Sequence, residues 1–149
     1  MSLNERQDEI IEEFSVFDDW MDKYNYLIEL SKDLPEIDPK YKTQQYLIEG
    51  CQSKVWLFAD LEDDVIRYSA DSDAIITKGI AALLIRVLDR QKPSDIMNNE
   101  LYFIERIGLQ QNLSPTRSNG LLAMVKQMKL LTQSVRVAKS LKNHWSKFR

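Results

Sequence analysis

One cysteine occurs in the 149 residues, within Ile48-Glu49-Gly50-Cys51-Gln52-Ser53-Lys54-Val55-Trp56. Two apolar, strand-like runs flank it, Tyr46-Leu47-Ile48 and Val55-Trp56-Leu57-Phe58. That pattern sets Cys51 at the tip of a β-hairpin or in a tight loop between strands. Gly50 just before it can take φ > 0 at no steric cost, so the chain can turn sharply at the sulfur. A thiol held on a loop by a rigid scaffold is a candidate nucleophile. Its thiolate is the reactive form, and a free cysteine titrates near pH ~8.5, so little thiolate exists at neutral pH. Lys54 stands close in sequence but Glu49 opposes it, and no clear activator is present. The simpler alternative is a small buried hydrophobe without chemistry.

A lone cysteine also excludes chemistry. No disulfide forms within the chain, and a zinc site of the Cys/His type needs four ligands where this chain has one Cys and one His. A Cys51–His144 nucleophile–base pair is formally open, although His144 lies near the end of the sequence, where order is least expected.

The net charge of −3 hides an asymmetry. From Arg106 onward there are nine Lys or Arg and no Asp or Glu, which leaves 11 basic against 23 acidic groups before it, a balance of −12. Such a basic third suits an acidic partner or a nucleic acid. The preferred expectation is that it neutralises the acidic part of the same fold and solvates a helix face, because its cations are spaced along a helix rather than bunched. Few aromatics accompany them, Trp145 and Phe148 near the end, and no nucleic-acid motif is present, so nucleic acid is not the expected partner.

The elements that must position Cys51 are legible in turn. Length and composition suit one domain with a sizeable core. Ser2-Leu3-Asn4-Glu5 is a capping box, and Ile10, Ile11, Phe14 and Phe17 predict a first helix to about Val16 or Phe17. Asp18 is the expected cap of a second, with Trp20, Tyr24, Leu27, Ile28 and Ser31 buried and a stop before Pro35. Three strands follow as an antiparallel meander: about 44–48, 55–61 and 65–70, the last two joined by Glu62-Asp63-Asp64. Asp71, Ser72 and Asp73 are candidate caps for a central helix whose stripe is Ile76, Ile80, Leu83, Leu84, Val87 and Leu88. Short helices are expected from Ser94 and over about 100–107, with Gly108 as a C-cap. The last helix starts with Ser114 as N-cap and Pro115 at N1, buries Leu121, Val125, Met128, Thr132 and Val135, and is expected to fray beyond Lys139. Gly120 inside it costs about 1 kcal/mol relative to Ala and suggests close packing. The fold class is thus α+β, a small three-stranded antiparallel sheet flanked by helices.

Several stretches together are similar to one family. Gly50-Cys51-Gln52-Ser53-Lys54-Val55-Trp56 resembles the cysteine loop of the SufE sulfur acceptors. Asp71-Ser72-Asp73-Ala74-Ile75-Ile76 with Lys78-Gly79 resembles the start of the family's central helix. Leu113-Ser114-Pro115-Thr116-Arg117-Ser118-Asn119-Gly120-Leu121 with Ala123-Met124 resembles the start of its C-terminal helix, and Asp19-Trp20 with Tyr24, Leu27 and Ile28 fits its N-terminal helix. The resemblance runs over about 5–135, and about 136–149 is a basic C-terminal extension beyond it.

The resemblance implies a fold shared with the IscU scaffold proteins and a role as sulfur acceptor and activator for a cysteine desulfurase. Cys51 would take sulfane sulfur as a persulfide and pass it to an iron–sulfur cluster assembly scaffold containing SufB. The desulfurase would be SufS-like or CsdA-like; a CsdE-type acceptor feeding another sulfur-using pathway is the alternative. Pyridoxal phosphate would belong to the desulfurase, so this chain would need no cofactor and would have no stand-alone turnover. Gly50, Gln52 and Ser53 are the loop candidates, with Asp73 and Arg117 as candidate partner contacts. Asp73 reads more simply as a helix cap. Arg117, a cation in the first turn of a helix, suggests an acidic partner within the fold or on the desulfurase. The lone thiol suits a carrier, because a persulfide beside a second thiol collapses to a disulfide and releases sulfide. Its apolar flanks lead us to expect Cys51 partly buried at rest and swung out on docking. The N-terminus has no secretory pattern and the longest apolar run, 79–85, is too short to span a bilayer, so a cytoplasmic, membrane-free location is expected. Oligomeric state, a homodimer included, stays open at this point. The rival classes are a thiol enzyme, which lacks a well-placed base, and a nucleic-acid-binding module.

Overall fold

The computed structural model describes residues 1–147. It is built from seven helices and one hairpin: α1 Leu3–Phe14, α2 Trp20–Ser31, β1 Val55–Glu62, β2 Val65–Ser72, α3 Ile75–Leu88, α4 Pro93–Asn98, α5 Phe103–Arg106, α6 Leu109–Asn112 and α7 Pro115–Ser146. Two 3₁₀ turns, Pro39–Tyr41 and Gln44–Tyr46, connect α2 to the hairpin. Among the described residues no helix is long and apolar enough to cross a membrane.

Alternation dictates the hairpin. Val55, Leu57 and Ala59 of β1 and Ile66, Tyr68 and Ala70 of β2 face the core, and the register runs from Val55 opposite Ser72 to Glu62 opposite Val65. Asp63 closes the turn with φ 52°, a left-handed conformation that Asp accepts more readily than most residues. The inner face receives α3, whose Ile80, Leu83, Leu84, Val87 and Leu88 are almost fully buried, and the first half of α7. Gly79 lets α2 and α3 touch: a Cβ there would meet the Leu27 carbonyl oxygen at 2.4 Å.

The expected first strand does not form, and the sheet has two strands. Gln44–Tyr46 is a 3₁₀ turn, and only a single bridge, Leu47 with Trp56, joins this segment to β1. The reason is aromatic packing. Tyr41 stacks on Phe58 at 3.9 Å between centroids, and Tyr46 meets the same ring edge-on at 5.8 Å. Two turns deliver both tyrosines to the outer face of β1, which an extended strand would not do.

The helix ends also differ from expectation in places. α1 stops at Phe14, because Phe17 turns back to pack against Phe14 and Tyr26. Asp19, not Asp18, caps α2, accepting from the Asp22 N–H at 2.9 Å. β2 runs through Ser72, so the N-cap of α3 falls on Ala74, which offers no side-chain cap. The stretch expected as one helix over 100–107 is the single turn α5, with Gly108 at φ 73° separating it from α6. α7 continues unbroken past Lys139 to Ser146, a 32-residue helix whose side chains are buried only as far as Thr132. Arg86 ties α3 to α1 through Glu13 and, at 2.7 Å, Glu9, and it holds the Glu13 carboxyl below its ordinary range.

Candidate functional site

The cysteine loop is pinned at its base from both sides. Ile48 N–H donates to the Val55 carbonyl at 2.9 Å. Lys54 N–H donates to the Asp73 carboxylate at 3.0 Å, and Asp73 N–H returns a bond to the Lys54 carbonyl at 3.2 Å. Asp73 is therefore a clamp on the loop rather than the cap of α3. Asp71, another expected cap, pairs instead with Lys42 at 3.1 Å and Lys78 at 3.5 Å. Between the two pins the chain must reverse, and Gly50 does so at φ 91°. A Cβ on Gly50 would also press within 3.3 Å of the Ala123 side chain.

This turn lays Cys51 against α7. Its thiol donates to the Gly120 carbonyl at 3.6 Å, and a Cβ on Gly120 would lie 3.7 Å from the sulfur. Cys51 is half-buried, as its apolar flanks predict, and burial pushes the thiol above its ordinary titration range. The resting site thus favours the neutral thiol.

A cleft of about 400 Å³ opens beside the sulfur. Cys51, Gln52 and Ser53 form one wall, Thr77 and Ile80 of α3 another, and Ser114, Thr116, Arg117, Gly120 and Met124 of α7 the third. Four of the expected residues, Cys51, Gln52, Ser53 and Arg117, therefore meet at one cleft, while Gly50 and Asp73 shape the loop from outside it. Arg117 is exposed at the cleft mouth and makes no ion pair among the described residues. Thr77, Ser114 and Thr116 were not expected at the site; their shared position at the first turns of α3 and α7 was the available signal.

The Cys51–His144 pair is not formed. His144 lies 24 positions beyond Gly120 on the same helix, about 36 Å along its axis at ~1.5 Å per residue. No group of three or more His, Cys, Asp or Glu placed to hold a metal occurs among the described residues. Cys51 is thus a thiol beside a cationic cleft whose described lining offers no general base. That arrangement suits accepting a group from a donor that brings its own activation.

Comparison with known proteins identifies the family. Residues 8–132 match the family model described as "SufE: Fe-S metabolism associated domain". An uncharacterized SufE-like protein of Rhizobium meliloti is 36% identical over 127 residues, covering 82% of this chain and 91% of that one. SufE-like protein 1, chloroplastic/mitochondrial, of Arabidopsis thaliana is 42% identical over 122 residues, covering 80% of this chain but 33% of its own greater length. A solution structure of a hypothetical protein from Thermus thermophilus shares the fold, with TM-score 0.74 and 20% identity over 89% of this chain and 96% of that one. On the family model and the sequence identities together, the chain belongs to the SufE family.

Proposed function

We propose that, within the sulfur-transfer role in iron–sulfur metabolism that the family implies, the Sγ of Cys51 carries the sulfur. The observation that supports it most is the placement of this one thiol, half-buried on a pinned loop, at the edge of a cleft that ends on Arg117. The Cys51 thiolate attacks the terminal sulfur of a persulfide on a cysteine desulfurase. A new S–S bond forms at Cys51, the donor's S–S bond breaks, and the donor cysteine leaves as a thiolate. The proton released from Cys51 on activation is available to that leaving group, so the exchange is redox-neutral. The desulfurase supplies the pyridoxal phosphate chemistry, and the acquired sulfur passes on to the cluster-assembly scaffold.

Burial sets the order of events. The free protein keeps Cys51 protonated and protected. Docking must draw the loop away from Gly120 and bring the thiol into a polar, activating site. The pins at Ile48 and at Lys54–Asp73 confine that movement to residues 49–53.

Intact-mass spectrometry after incubation with a cysteine desulfurase and cysteine tests the reading. One or more added sulfur atoms on the wild type, mapped to Cys51 and removed by dithiothreitol, with none on Cys51→Ala, are expected. Sulfur uptake by Cys51→Ala, or none by the wild type with any desulfurase of the same cell, overturns it.

A further inference from the structure

We propose that a second cleft, between the end of α7, the start of α4 and the β1–β2 turn, binds an acidic segment of a partner protein. Residues 136, 139, 143 and 147 recur at spacings of three and four, so Arg136, Lys139 and Asn143 share one face of α7 and its C-cap, Lys147, continues that face. That face and Lys92 line a cleft of about 640 Å³. Lys139 pairs with Asp64 at 3.7 Å, while Lys92, Arg136 and Lys147 make no ion pair among the described residues. Among the described residues, this basic face therefore does little to neutralise the acidic part of its own fold. It concentrates positive potential in one concavity, which attracts an anionic ligand.

The lining selects the class of ligand. Arg136 and Lys147 stand about 16 Å apart along the helix axis, a span matched by about five residues of extended chain. Leu61 and Pro93 supply an apolar floor. Among the described residues the lining holds His144 but no Phe, Tyr or Trp, so it lacks the run of rings on which successive bases of a single strand stack. Carboxylates interleaved with apolar side chains fit both floor and rim. The family match ends at residue 132, before Arg136, so the family assignment does not account for the cations that α7 brings to the cleft. The surface begins about 24 Å along α7 from Gly120, so a partner seated on it leaves the thiol cleft open. The proposal stands whether or not Cys51 carries sulfur.

The test titrates the ¹⁵N-labelled full chain with a synthetic peptide of repeating Glu-Glu-Leu, beside a Gln-Gln-Leu peptide and single- and double-stranded DNA oligomers. Expected are amide shifts at Leu61, Ser94, Ser140 and Asn143 with the Glu peptide alone. The triple variant R136E/K139E/K147E should weaken its binding by about tenfold or more, and R136Q/K147Q by less, both with an unchanged far-UV spectrum. If the triple variant misfolds, the milder double variant decides the matter. Binding that ignores the double variant, shifts confined to other surfaces, no binding at all, or DNA bound more tightly than the Glu peptide at equal salt each overturns the proposal.

Discussion

At the scale of the residue, the conflict lies in Cys51 itself: a nucleophile must ionise, and burial holds this one neutral. The resolution is that the inhibition is built into the loop and removed with it. Alkylation of the native chain by iodoacetamide should be slower at neutral pH than that of the urea-unfolded chain. Its midpoint should lie above that of a free thiol, since the folded state holds the proton more tightly. Asp73→Ala frees the Lys54 N–H and loosens the loop's far pin at a cost of about 0.5–1.5 kcal/mol. That variant should alkylate severalfold faster than wild type while its midpoint moves towards the free-thiol value. Equal rates in native, variant and unfolded chains would show that the loop does not shield the sulfur.

At the scale of the element, glycine separates two kinds of contact. Gly79 and Gly120 both sit inside buried helix segments, and each would gain about 1 kcal/mol of helix propensity on becoming Ala. Their surroundings decide the sign. At Gly79 a Cβ would strike the Leu27 backbone at 2.4 Å and force α2 off α3, so Gly79→Ala should destabilise by ~1–3 kcal/mol or more, the range for an overpacked core. At Gly120 the nearest atom is the Cys51 sulfur at 3.7 Å, an ordinary contact, so Gly120→Ala should leave stability unchanged or slightly higher in urea unfolding. The sequence suggested close packing at Gly120, but it could not say that Gly79 is the tighter of the two. The same limit explains what else was legible. Caps whose donor and acceptor are close in sequence, Ser2 with Glu5 and Ser114 with Arg117, were readable, as were the core stripes of α3 and β2. The absence of a third strand, the Asp73 clamp and the run of Ser114, Thr116 and Thr77 along the cleft depend on partners far away in the chain.

At the scale of the whole molecule, α7 is two structures in one helix. Up to Thr132 it is core: Leu121, Met124 and Met128 pack on the hairpin and α3, and the buried Tyr68 hydroxyl bonds Thr132, with burial lifting the tyrosine to about 12. Residues 136–147 are all exposed, and the ion pair of Lys139 with a strongly exposed Asp64 contributes at most ~0.5 kcal/mol. Ending the chain after Val135 removes five Lys or Arg and no acid, which takes the net charge from −3 to −8. The truncated chain should keep its core and melt within a few degrees of wild type in low salt, with the small difference shrinking as salt screens the self-repulsion of the acidic remainder. It should still take sulfur on Cys51, because the thiol cleft lies against residues 114–124. A large loss of thermal stability that salt does not restore would mean that the last turns of α7 support the fold directly, and the division at Thr132 would be wrong.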